Sequence, residues 1–342
     1  MNIVINRWAN TTQGPIYIFR LINESGAYVE LSNWGATWVS AYMYGADGRL
    51  SNVLLSYSCA EEYMMDTYYM GATIGRFANR IYQGVFSIDG KVYSLEKNDG
   101  NNTNHGGFAG FNKKIWAWEQ IPNGIRYILH SPNGDGGYPG NLQVIIEYIF
   151  SETNTLTILY RGITDRNTYV NLTNHAYFNL SGNNGKIDNH KLYIPSNEIL
   201  DTMADFIPTG NFRNISGSLF DFTSLRDIGT YLYDNHEQIR WNKGYNHYYI
   251  LKKEKTDDLV MAATLYDPES KRMLSVTTDY PGVLLYTGGY LFTPNIGVCL
   301  ETQYFPDTPS HSHFPSCILT PEREYRHMTI YEFYPKKTNI VK

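Results

Sequence analysis

Charge is what this chain has little of. Asp, Glu, Lys and Arg make up 18% of its 342 residues, against about a quarter in an average soluble domain. The formal net charge is −5 and no run of Lys or Arg occurs, so there is no electrostatic footprint for nucleic acid. Cysteine is scarce as well. Cys59, Cys299 and Cys317 are odd in number and show no CxxC spacing, which argues against a disulfide framework and a structural zinc site and fits a reducing compartment. No stretch of 18 or more apolar residues exists to cross a membrane. The opening text, Met1-Asn-Ile-Val-Ile-Asn-Arg-Trp8, lacks the apolar core of a secretory signal. A soluble, cytoplasmic protein is expected. The Asn-x-Ser/Thr triplets at Asn10, Asn23, Asn101, Asn171, Asn179 and Asn214 are then chance matches.

Several signatures of chemistry are missing too. There is no GxxxxGK[ST] phosphate loop and no GxSxG elbow, and neither Cys299 nor Cys317 has positive neighbours to activate a thiolate. What is plentiful is tyrosine, with 30 residues, and apolar side chains at 42%. Such a protein meets ligands through hydroxyls and ring faces more than through ions, which suits sugars.

Convincing amphipathic helices are nearly absent; residues 60–65 and 222–231 are the best short candidates. Period-two alternation dominates instead. It marks strands over 27–33, 84–90 with its hairpin partner 91–95, 142–150 with its partner 156–160, and 191–194, 248–251, 259–266, 273–278 and 282–286. Without a linker or a repeat, this pattern predicts one large all-β domain, a sandwich or barrel spanning 1–342.

Two islands carry chemistry. Asn171-Leu-Thr-Asn-His-Ala-Tyr-Phe-Asn-Leu-Ser-Gly182 sets His175 in a strand-like run where Asn174 and Tyr177 are placed to hold its ring. Far downstream, Gly297-Val-Cys-Leu-Glu-Thr-Gln-Tyr-Phe-Pro306 puts Glu301 in text too apolar for a solvated face. A carboxylate in such company has a partner or a task, and together the two make an acid/base couple. Upstream of both, Gly71–Ile81 carries Arg76 and the donors Asn79 and Arg80, with a carbonyl-clamping role about as plausible as a ligand role for Arg76. The glycine-rich stretch at 101–111 holds His105, its glycines suited to positive φ or close backbone approach. His311 and His313 lack a third ligand nearby and read as loop histidines.

Taken in order, Trp34-Gly-Ala-Thr37, Ile74-Gly-Arg-Phe-Ala-Asn-Arg-Ile81, His105-Gly-Gly107 with Gly110, Phe111 and Trp116, Gly137–Leu142, Asn171–Gly182, Tyr286-Thr-Gly288 and Glu301-Thr-Gln303 with Phe305-Pro306 resemble the aldose 1-epimerase (galactose mutarotase) family over nearly the whole chain. The resemblance implies a β-sandwich of the mutarotase type that interconverts anomers of a free aldose, with no cofactor and no metal. It carries the catalytic base onto Glu301, the catalytic acid onto His175, and sugar contacts onto Asn79, Arg80 and His105; Tyr177 and Asn246 join these as candidate contacts. The expected partner is a small-molecule sugar, with no nucleic acid or membrane, and the chain a monomer or homodimer. Two positions depart from the family text. Asn246 stands where the family has a sugar-binding Asp, and Leu284 where it often has a hydroxyl-binding Gln, which bears on the preferred sugar. A hexose-phosphate epimerase or a non-catalytic sugar-binding module of the same fold are the competing readings. Opposite charges at close range are expected to keep His175 and Glu301 ionised.

Overall fold

A computed structural model of the chain describes residues 1–182 and 185–335. The fold is all-β, as the alternation implies. Near the N-terminus, five strands form an antiparallel meander in sequence order, from Asn2–Thr11 and Gly14–Ile22 through Tyr28–Ser32 and Thr37–Tyr44 to Leu50–Asn52. A nine-stranded sheet follows, its first four strands being Ala117–Ile121, Gly124–Ser131, Leu142–Phe150 and Thr155–Thr164. It continues through Tyr325–Tyr334, Met273–Thr278, Val260–Tyr266, Lys191–Tyr193 and Arg226–Asp227. The six-stranded sheet runs Tyr177–Phe178, Val298–Gln303, Gly282–Tyr286, Asn246–Ile250, Glu198–Thr202, Pro208–Asn214.

Inward-facing side chains of all three sheets merge into one apolar cluster, among them Phe19, Trp38, Ile146, Ile158, Tyr249, Leu285 and Tyr331. Alternation decides which side chains these are: along Thr155–Thr164 the buried positions are Leu156, Ile158, Tyr160 and Gly162. Thr, Ile, Val and aromatic residues fit this pleated, half-buried surface. Asp89 and Gly90, both at positive φ, close the tight hairpin between Val85–Ile88 and Lys91–Ser94.

The helix expected over 60–65 is present as Ala60–Met64, where the Glu62 carboxylate accepts the Cys59 backbone N–H. The one expected over 222–231 is not. Asp221 accepts the Thr223 backbone N–H in a local turn, Arg226–Asp227 adds an edge strand beside Lys191–Tyr193, and Ile228–Thr230 makes a single 3₁₀ turn. Phe222 and Ile228 are buried by that path, and Thr223, Ser224 and Gly229 have little helical preference to resist it. A short helix forms instead at Glu237–Asn242. Its N-cap is His236, whose Nδ1 accepts the Gln238 N–H, and Lys243 ends it in the left-handed region. Neither cap is the residue type by which a helix start or stop is read from sequence. Among the described residues no helix is long and apolar enough to cross a membrane. Three of the six Asn-x-Ser/Thr triplets begin at buried asparagines, Asn23, Asn171 and Asn179, where a glycan has no room.

Candidate active site

The six-stranded sheet presents a grid of side chains on one face. Glu301 lies in register with Leu284, and Leu284 with Tyr248. On the other side of the Glu301 strand, Tyr177 pairs with Cys299; His175, two residues before it, has its backbone bonded to Gly71 and Ala72 and its side chain beside Glu301. One row across the sheet therefore reads His175, Glu301, Leu284, Tyr248. The next reads Tyr177, Cys299, Tyr286, Asn246. Facing neighbours in an antiparallel pair hold their Cβ atoms about 5 Å apart, so two islands remote in sequence become adjacent here. His175 Nε2 lies 3.6 Å from Glu301 Oε1.

Both groups open into one cavity of about 400 Å³, a volume suited to a small-molecule ligand. Five of its lining residues, Asn79, Arg80, His105, Tyr177 and Asn246, are the contacts expected from sequence. The structure thus gathers all seven candidate residues at one place.

Glu301 is buried, and neither carboxyl oxygen has a hydrogen-bond partner among the described residues. Burial pushes its pKa up to about 8, because a low-dielectric wall disfavours the carboxylate. The same burial lowers His175 to about 4. The expected ion pair is thereby corrected: desolvation outweighs the mutual attraction and both groups prefer to be neutral. The pair still holds one proton between them across neutral pH.

The ring of His175 is held differently from the sequence expectation. Asn174 makes no bond to it; its amide donates to the Gly71 carbonyl at 2.8 Å and accepts the Ala176 N–H at 3.1 Å, fixing the backbone turn. Tyr177 spends its hydroxyl on the Tyr68 carbonyl at 3.0 Å and packs its ring 5.0 Å from the imidazole. Cys299 Sγ stands 3.6 Å behind, at Nδ1.

His105 and Asn79 form a reciprocal clamp. The His105 backbone N–H donates to the Asn79 carbonyl at 3.2 Å, and the Asn79 backbone N–H donates to His105 Nδ1 at 3.3 Å. Both residues have positive φ, uncommon for non-glycine residues but a conformation in which Asn and His are both enriched. Gly106 completes the turn: a Cβ there would sit 2.1 Å from the Gly75 carbonyl oxygen. With Nδ1 accepting, neutral His105 carries its proton on Nε2 and offers the cavity a donor. His105, His175 and Glu301 place possible ligand atoms within 4.8 Å of one another, but a metal needs a lone pair where His105 presents an N–H, so the set does not fit a cation.

Arg80 is paired through Nε with Asp99 at 2.7 Å and lies over the Phe206 ring at 4.8 Å. Asp99, Phe206, Tyr69 and Tyr290 line the cavity and escaped the sequence reading; nothing in their local text sets them apart from other polar loops and surface aromatics. Arg76 is elsewhere. It is buried, and its two terminal nitrogens bind the carbonyls of Ser131, Pro132, Pro139 and Gly140 at 2.7–3.2 Å, the carbonyl-clamping alternative. His311 and His313 also lie outside the cavity; His313 Nε2 contacts the Gly210 carbonyl at 2.9 Å.

Residues 17–332 match the family model described as aldose 1-epimerase. The chain belongs to the aldose 1-epimerase family. It is 36% identical over 317 residues to the galactose mutarotase of Sus scrofa, covering 89% of this chain and 90% of that protein. To the aldose 1-epimerase of Escherichia coli K12 it is 35% identical over 332 residues, covering 93% and 95%. Among solved structures, the GalM/aldose epimerase homologue from C. elegans superposes with a TM-score of 0.86 at 26% identity, covering 93% of this chain and 98% of that one. The galactose 1-epimerase from Lactobacillus acidophilus NCFM gives 0.86 at 25% identity, covering 97% and 98%. The fold of this aldose 1-epimerase is of the galactose mutarotase type.

Proposed function

We propose that this aldose 1-epimerase interconverts the α and β anomers of a free aldose by general acid–base ring opening, with Glu301 and His175 dividing the proton work. The observation that carries the reading is Glu301: a buried carboxyl with neither oxygen bonded, 3.6 Å from an imidazole nitrogen in a cavity of sugar size. Such a group costs stability unless a ligand completes its bonds. The two reacting oxygens of a cyclic aldose, the C1 hydroxyl and the ring oxygen, are bonded to the same carbon, so their acid and base must also lie close together.

Glu301 as carboxylate takes the C1 hydroxyl proton while His175 as imidazolium gives one to the ring oxygen. The bond from C1 to the ring oxygen breaks and the C1 carbonyl forms. Concerted transfer avoids both a free alkoxide and an oxonium. The aldehyde turns about C1–C2 and the ring closes on its other face with the two groups in exchanged roles. Carboxylic acid beside imidazole has the same proton count as carboxylate beside imidazolium. Sugar hydroxyls bonding to Glu301 stabilise the charged arrangement. His105 through its Nε2–H, with Arg80, Asn79 and Asn246, holds sugar oxygens so that the reacting atoms start in position. Tyr177 supports the His175 ring. No step calls on a cofactor.

A phosphorylated sugar is disfavoured, because among the described residues Arg80 is the one Lys or Arg lining the cavity, and Asp99 already pairs with it. We read the protein as one cytoplasmic catalytic unit over residues 1–342, monomeric or homodimeric. Polarimetry of freshly dissolved α-galactose and α-glucose tests the activity. The protein should speed the approach to equilibrium rotation of at least one; no acceleration with any aldose would overturn the reading.

A further inference from the structure

The row that pairs His175 with Glu301 also fixes which way a bound sugar lies. In a cyclic aldose, C1 carries three heavy-atom neighbours: its hydroxyl oxygen, the ring oxygen and C2. With the hydroxyl on Glu301 and the ring oxygen toward His175, C2 points to the opposite side of the Glu301 strand. The neighbour there is Leu284, in register with Glu301. Leu284 lines the cavity and packs with Leu200, Tyr248, Phe305 and Phe314, so it has no freedom to withdraw. The next position in the row adds no polar group either, since the Tyr248 hydroxyl donates to the Gln303 carbonyl at 2.7 Å. Asn246 lies in the other row and two strands from Glu301, one strand further from the base than Leu284.

We propose that Leu284 sets specificity at C2: the site does not read the C2 hydroxyl, and 2-deoxyaldoses are substrates at least as good as their 2-hydroxy counterparts. This rests on the anomer-exchange reading above and names its substrate class. A C2 hydroxyl set against Leu284 gives up its bonds to water and gains none, whereas a C2 methylene meets an apolar wall. A site with a hydrogen-bonding side chain there would discriminate in the opposite sense, and steeply.

The test compares kcat/KM for anomer exchange on D-galactose and 2-deoxy-D-galactose, and on D-glucose and 2-deoxy-D-glucose, each divided by its uncatalysed rate. The wild-type ratio of deoxy to hydroxy sugar should be one or more, roughly 10 where the wall is fully felt. Leu284→Gln should lower that ratio at least tenfold, while Leu284→Met, apolar and of similar volume, should leave it in place. A wild-type preference for the 2-hydroxy sugar in both pairs overturns the proposal, whether or not Leu284→Gln folds. So does a folded Leu284→Gln with an unmoved ratio. Absence of catalysis on all four sugars is a separate result, and it removes the anomer-exchange reading together with this one.

Discussion

At the scale of single residues the chemistry is a matter of one proton. Burial raises Glu301 to about 8 and lowers His175 to about 4. Below the lower value both groups are protonated and no base remains; above the upper one neither holds a proton and no acid remains. A plot of kcat/KM against pH should therefore be flat-topped, falling below about pH 4 and above about pH 8, and activity that persists unchanged to pH 10 contradicts it. Glu301→Gln and His175→Asn should each lower kcat by a factor on the order of 10²–10⁴, with circular dichroism unchanged. Stability should move the other way for the first of these. The folded state holds a proton on Glu301 that the unfolded chain releases near the ordinary carboxylate value, so between there and about pH 8 native stability declines as pH rises. Glu301→Gln removes that decline and should be the more stable protein at pH 7, by about 1–3 kcal/mol in urea unfolding. His175 has the opposite sign. Its lowered value makes stability rise with pH between about 4 and its ordinary value, and His175→Asn should flatten that limb.

At the scale of elements, the sharpest constraint is the turn that aims His105. A methyl group at Gly106 meets the Gly75 carbonyl and an unfavourable φ at once. Gly106→Ala should lower stability by about 2 kcal/mol or more and reduce kcat/KM further by displacing the His105 Nε2–H; unchanged kinetics would mean the donor is not needed. Elements whose two faces differ were legible in the sequence. Leu142–Phe150 and the 156–160 stretch inside Thr155–Thr164 lie where alternation put them. Val298–Gln303 was harder, because all six residues are buried and the strand has no polar face to mark it. It showed as an apolar island around Glu301. The helix expected over 222–231 failed for another reason: local turn bonds from Asp221 and burial of Phe222 and Ile228 outweighed a short periodic pattern.

Across the whole molecule, His175 and Glu301 meet only because a sheet brings distant strands into register, so their names were legible and their spacing was not. Leu284 was legible as a departure, but that it stands beside the base is a property of the register alone. Arg76 shows the opposite limit. Its text is as suggestive as that of Arg80, yet its guanidinium ties together the two ends of one loop, residues 131–141, outside the cavity. Arg76→Ala should cost about 3 kcal/mol of stability by leaving those carbonyls buried without donors, while kcat/KM per folded molecule stays at the wild-type value. A selective loss of kcat without destabilisation would place Arg76 in the chemistry after all.

The ladder that carries Glu301 keeps proton transfer and substrate choice one strand apart. An exchange at Leu284 therefore alters the surroundings of the Glu301 carboxyl as well as the face offered to a sugar, because the two side chains are cross-strand partners. On such a pleat the choice of sugar and the strength of the base are coupled, and a change in one is felt in the other.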